Sequence, residues 1–176
     1  PELLKDIALI TFFTSGELPQ GQTNGEDWCL RAYKTVDNLA LLTPPSEAPK
    51  FKRGFECHWE ECDDEPCSED PEKIVTEWIL PKSSNPFDTK FEDETFEEED
   101  TPLFRTKVGG YASFIQGSLD WRRGYNKPHP AHPRYCFQID SEEKVGIEWV
   151  HQGILYLGRG TAPGFEDDWF LECQFL

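Results

Sequence analysis

The chain has 176 residues and a formal net charge of −17, with 34 Asp and Glu against 17 Lys and Arg. This length suffices for one domain with a real core, and a hydrophobic share of 37%, with 14% aromatic, suits a folded protein with bulky core residues. The charge argues against nucleic acid and anionic lipid as partners. No apolar run approaches a membrane span and no signal peptide is evident, so the expected location is cytoplasmic.

The first predicted element is "IALITFF" (Ile7–Phe13), a short apolar, β-favouring run. A loop rich in Gly, Pro and Asn separates it from "DWCLRAY", where Trp28, Leu30 and Ala32 share one face and Cys29, Arg31 and Tyr33 the other. The two runs read as an antiparallel hairpin. "NLALL" (Asn38–Leu42) predicts a strand stopped by Pro44 and Pro45.

The middle of the chain concentrates the charge. Residues 56–72 hold nine carboxylates and residues 88–100 hold eight, half of the total. "CHWEECDDEPC" also places Cys57, His58, Cys62 and Cys67 close together. The spacing is not the Cys-x2-Cys of a zinc knuckle, and no EF-hand loop is present, so no metal site is expected. "DPEKIVTEWIL" predicts a short helix, with Asp70 as N-cap, Pro71 at the first helical position, and Ile74, Val75, Trp78 and Ile79 at helical spacing. "NPFDTKFEDETFEEED" reads either as a further helix capped by Asn85 or as a loop held down by Phe87 and Phe91.

"VGGYASFIQG" (Val108–Gly117) lacks any phosphate-cradling pattern; its paired glycines point to a tight turn beside a packed aromatic. "LDWRRGYNKP" is a basic stretch in an acidic chain. Its Trp121, Arg122, Arg123 and Tyr125 form the aromatic-plus-Arg combination common at binding hot spots; the alternative is that the arginines neutralise neighbouring acidic loops. "KPHPAHPRY" sets His129 and His132 in an extended, Pro-rich loop with no nucleophile beside them, so an exposed or packing role is expected over catalysis. "YCFQID" (Tyr135–Asp140) alternates cleanly as a strand, and "GIEWV" (Gly146–Val150) is a further short run. Cys29, Cys136 and Cys173 lie in strand-like runs as small buried hydrophobes, and all six cysteines are expected to be reduced.

The last runs, "GILYLGRG" and "DWFLECQF", echo the first hairpin. Aligning Gly16 with Gly160 places Ile10 on Ile154 and Phe12 on Tyr156; with a loop three residues shorter, Trp169 falls on Trp28. Trp169, Leu171, Cys173 and Phe175 share a face, as do Trp28, Leu30 and Ala32. Repetition of apolar residues on one face predicts a duplicated hairpin, about 7–33 and 153–175, with both Trp side chains buried. The strands that precede the second copy have no counterpart before the first, so either the duplication is incomplete or residues are missing before Pro1; the absence of any methionine favours the second expectation.

The segments "KVGGYASFIQG", "YCFQID", "GILYLGRG" and "DWFLECQF", in that order, resemble the YwqG-like family of bacterial proteins, a domain of unknown function. The earlier "IALITFF", "NGEDWCLRAY" and "WEECDDEP" fit its first half more loosely. Ala112 stands where the family pattern has Pro, which touches local rigidity only. The resemblance implies a single domain over 1–176 of α+β class, mostly antiparallel β, internally duplicated, with a few short helices and without part of the family's N-terminal region. It carries over no catalytic residue and no cofactor. Relatives occur near secreted-toxin and immunity genes in some bacteria.

Together these readings predict an acidic, non-enzymatic binding protein: a cytoplasmic immunity protein that neutralises a cognate basic toxin by protein–protein interaction. The expected contact residues are Glu60, Glu61, Asp63, Asp64 and Glu65 for steering, and Trp121, Arg122, Arg123 and Tyr125 for anchoring. The alternatives are a hydrolase-like enzyme using clustered carboxylates and a regulatory domain with a small ligand at the duplication interface.

Overall fold

The computed structural model describes residues 1–14, 23–40, 56–64, 105–117, 119, 121, 128–150 and 152–176. Within them the architecture is mostly antiparallel β. A two-stranded sheet pairs β1 (Leu9–Thr14) with β2 (Trp28–Tyr33), and a four-stranded sheet has the order β3 (Lys107–Val108), β4 (Arg134–Asp140), β5 (Ile154–Arg159), β6 (Trp169–Gln174). The helical elements among the described residues are two 3-10 turns, Glu2–Leu4 and Glu143–Val145. The helix expected in 70–80 and the helix or loop expected from Asn85 lie outside the described residues.

Both hairpins form, and their apolar faces meet. Trp28 and Leu30 of β2 pack with Leu155, Leu157, Trp169 and Leu171 of β5 and β6, with Ile10 and Phe12 of β1 partly buried beside them. Trp28 is 1% exposed and Trp169 5%, so both lie in the core as their shared face requires. Asn24 secures the free side of β2: its side-chain amide donates to the Leu30 carbonyl at 3.0 Å and accepts from the Leu30 N–H at 2.9 Å.

The registers correct the sequence alignment by one residue. Thr14 faces Trp28 and Phe12 faces Leu30 in the first hairpin; Arg159 faces Trp169 and Leu157 faces Leu171 in the second. By register Phe12 therefore corresponds to Leu157, and Ile10 to Leu155. The expected partners, Ile154 and Tyr156, point to the opposite face of the sheet. A one-residue offset in a strand reverses every side chain, so only the register match puts apolar residues on the same face in both hairpins.

Three other expected strands differ. β4 does not alternate cleanly: pairing with β5 slips between Tyr135 and Phe137, leaving Cys136 as the extra residue of a bulge. Cys136 and Phe137 consequently both enter the core between the hairpins, while Tyr135 turns to the other face. Gly146–Val150 forms no strand; its one ladder contact is an isolated bridge between Ile147 and Glu142. Of the run Asn38–Leu42, residues 38–40 form a turn and its exit, and the remainder lies outside the described residues.

The far face of the four-stranded sheet is covered by the segment that follows β3. Ala112 and Trp121 are buried there against Ile154 and Tyr156, with Phe114, Ile115 and Leu119 partly buried around them. Residues 111–117 do not join a ladder; side chains of the sheet supply their hydrogen bonds. Gln138 accepts from Ser113 N–H at 3.0 Å, and Gln174 accepts from Ile115 and Gln116 N–H and donates to the Gly117 carbonyl. The Tyr156 hydroxyl donates to the Ser113 carbonyl. Gln138 and Gln174 are buried, 0% and 4% exposed, and these bonds satisfy them.

The start of the chain is tied to β5 by one side chain. The Arg159 guanidinium, 7% exposed, donates to both Asp6 carboxylate oxygens at 2.7 and 2.9 Å, to the Leu3 carbonyl, and to the Glu166 carbonyl. Its charge also lies 5.9 Å from the Trp169 ring centre. Arg159 holds the Asp6 carboxyl well below the usual carboxylate range, at about 2.

Candidate functional site

The acidic segment 56–64 and the β3 edge form one surface. The segment is irregular and exposed until Asp64, whose side chain turns inward. Asp64 pairs with Lys107 Nζ at 2.9 and 3.0 Å and accepts from the Tyr111 N–H at 2.7 Å. Both side chains of that ion pair are largely buried. The paired glycines make this possible. Gly109 and Gly110 have φ of 79° and 66°, a turn that directs the Tyr111 N–H at the carboxylate, and a β-carbon on Gly110 would lie 2.1 Å from Asp64 Oδ2. The turn expected from "GGY" is thus also the receptor for the acidic segment.

Asp64 therefore fastens the segment, while Glu60, Glu61 and Asp63 are exposed. Glu65, Arg122, Arg123 and Tyr125 lie outside the described residues. Trp121 is 9% exposed and sits in the core beneath the far face, with its benzo edge against Gly158. An exposed aromatic beside the carboxylates is Trp59, 62% exposed, which is not among the contact residues expected from the sequence. Its signal was in the sequence: Trp59 is flanked by His58, Glu60 and Glu61, with no alternating apolar run to bury it.

His58 and Trp59 stand between two cavities. One, of about 650 Å³, is apolar in character and opens between β1 and the β3–β4 edge; Phe12, Phe137, Ile139 and Ile147 line it. The other, of about 630 Å³, runs along the acidic segment and is lined by Glu60, Glu61, Asp64 and Lys107. Asp140 and Glu142 stand in the wall of the apolar cavity, and burial pushes the Asp140 carboxyl above its ordinary value.

Other candidate chemistry is engaged in structure. His129 accepts from the Ala131 N–H at 3.1 Å and meets the Phe170 ring edge-on at 4.7 Å. The His132 carbonyl accepts from the Thr161 hydroxyl at 2.7 Å. The Tyr135 hydroxyl donates to Gln138, and burial, with the Asp64 charge nearby, pushes its ionisation far upward. Among the described residues no group of three or more His, Cys, Asp or Glu has the arrangement of a metal site. Cys57 and Cys62 are exposed, whereas Cys136 is buried. Burial raises the Cys136 and Cys173 thiols to about 11. None of the helices among the described residues is long and apolar enough to cross a membrane.

Residues 10–157 match the family described as Domain of unknown function (DUF1963), and the chain belongs to that family. No curated protein and no solved structure matches it.

Proposed function

We propose that this DUF1963 member is an acidic, non-enzymatic binding protein: a bacterial, YwqG-like, cytoplasmic immunity protein that neutralises a basic toxin by covering its active-site cleft. One observation carries the reading. Trp59 is exposed amid Glu60, Glu61 and Asp63 on a segment that Asp64 fastens to a folded edge. Exposed carboxylates accelerate encounter with a basic surface, and a large aromatic supplies the anchor once contact is made. A hydrolase using clustered carboxylates has less support, because Asp6 and Asp64 are committed to Arg159 and Lys107. The shared register of Trp28 and Trp169 supports an origin of the two hairpins by duplication, as part of the same reading.

The test is capture of partners from the native host on the immobilised chain, followed by binding kinetics with the purified partner. The partner should be basic, and association should slow as salt rises, since screening at about 0.15 M shortens the field to roughly 8 Å. The combined variant Glu60→Gln, Glu61→Gln, Asp63→Asn should slow association and leave the fold intact, because exposed charges contribute little to stability. An acidic or neutral partner, or an on-rate indifferent to both salt and this variant, would overturn the proposal.

A further inference from the structure

The cleft beside Trp59 is more than a gap between layers. Its floor is Phe12 from β1, Phe137 and Ile139 from β4, and Ile147 from the turn beyond. Its lip carries two exposed apolar side chains, Trp59 at 62% and Val108 at 43%. A volume of about 650 Å³ is that of a pocket for several large side chains rather than a packing defect. Among the described residues, the charged groups on its wall are Asp140, Glu142 and Arg105, and Glu60 and Glu61 follow directly after Trp59. Among these residues carboxylates outnumber cations around an apolar floor.

We infer that this cleft is the docking site for a partner segment in which large apolar side chains are flanked by lysine or arginine. The inference rests on the binding function proposed above and locates the anchor. The apolar side chains fill the floor between Phe12 and Ile139, Trp59 covers them, and the flanking cations meet Asp140, Glu142 and the carboxylates after Trp59. Charge complementarity favours a basic occupant: an acidic peptide would face like charge on most of the rim, and a second copy brings a net charge of −17 that opposes its approach. Apolar contact and rim charge then have separate kinetic roles. Exposed rim charge governs the on-rate, and filling of the apolar floor governs the off-rate.

The experiment uses the full chain and two fluorescent synthetic peptides, one placing leucine and phenylalanine among lysines, the other identical with glutamates in place of the lysines. The lysine peptide should bind and the glutamate peptide should not. Val108→Lys and Val145→Lys, the first on the exposed edge and the second on the surface turn in the cleft wall, should each raise its off-rate about tenfold, equivalent to about 1.4 kcal/mol. Glu60→Gln with Glu61→Gln should lower the on-rate and leave the off-rate within about twofold. Circular dichroism of each variant confirms that the fold is retained, and Val108→Lys, altering an exposed residue, serves if Val145→Lys does not fold. If the lysine peptide binds with an off-rate indifferent to the cleft variants, the cleft inference falls while acidic steering stands. If the lysine peptide does not bind, the cleft inference falls and host capture alone decides the broader function. Equal binding of both peptides overturns the charge selectivity on which the inference depends.

Discussion

Trp121 rests on Gly158: a β-carbon on residue 158 would lie 2.5 Å from Trp121 Cη2 and 2.7 Å from Cζ3. The obstacle is a ring held in the core, not the end of a flexible chain, so the backbone of β5 and the indole cannot both stay in place. Gly158→Ala should destabilise the protein by about 1–3 kcal/mol, as overpacking does. Denaturant unfolding checks the value. Combining it with Trp121→Leu, which removes the obstructing ring, should cost less than the sum of the two single changes. Additive costs would show that the two residues are not in contact.

The Asp64–Lys107 pair offers a second test. Asp64→Ala leaves a largely buried Lys107 charge without its carboxylate and the Tyr111 N–H without its acceptor. A loss of about 3–5 kcal/mol is expected. Adding Lys107→Met removes the stranded charge and should recover part of that loss. Amide exchange should also quicken at Tyr111 in Asp64→Ala, and unchanged protection there would refute the role of Asp64 as a fastening.

Acid unfolding should report on Asp6. Its carboxyl titrates at about 2 in the folded chain, against an ordinary value of 3.8, because Arg159 favours the charged form. A depressed folded-state value contributes stability that is fully present above about 3.8 and is lost as pH falls through about 2. Urea midpoints measured from pH 5 down to pH 2 should therefore fall more steeply for the wild-type chain than for Asp6→Asn. Parallel profiles would show that the pair does not form.

Thiol labelling at mildly alkaline pH should separate the cysteines. Cys57 and Cys62 are exposed and should react with iodoacetamide in the folded protein. Cys136 and Cys173, with thiols raised to about 11 by burial, should label only after unfolding. Peptide mapping by mass spectrometry gives the order, and rapid labelling of Cys136 would contradict its place in the core.

The hairpins were legible in the sequence because Trp28 and Leu30, and Trp169 and Leu171, recur at the same two-residue spacing in short β-favouring runs with turn residues between the runs. The offset between them was not, because apolar residues occupy both faces of β5 and glycine alignment cannot choose a parity. Gly158 is buried under Trp121, and Ile154 and Tyr156 are as deeply buried as Leu155 and Leu157. The bulge at Cys136 was hidden for a related reason, since its neighbours Tyr135 and Phe137 suit either face. Gln138 and Gln174 are polar residues within apolar runs, and nothing local announces that another part of the chain crosses above them. At the site, the acidic segment was legible as charge and Trp59 was present in the quoted motif. The distinction between Asp64 as fastening and Glu60 and Glu61 as surface required the long-range contact with Lys107.

Arg159 and the hairpin core also set an order of events for a chain made from one end. The first hairpin leaves the ribosome with Trp28 and Leu30 uncovered, and Asp6 and the Leu3 carbonyl without the guanidinium that holds them. The residues that complete both arrangements, Leu155 to Leu171, are more than a hundred positions later. At about 5–20 residues per second the wait is on the order of ten seconds. During that interval the apolar face of the first hairpin is uncovered, and the carboxylates of residues 56–72 and 88–100 leave the ribosome before its covering partner does.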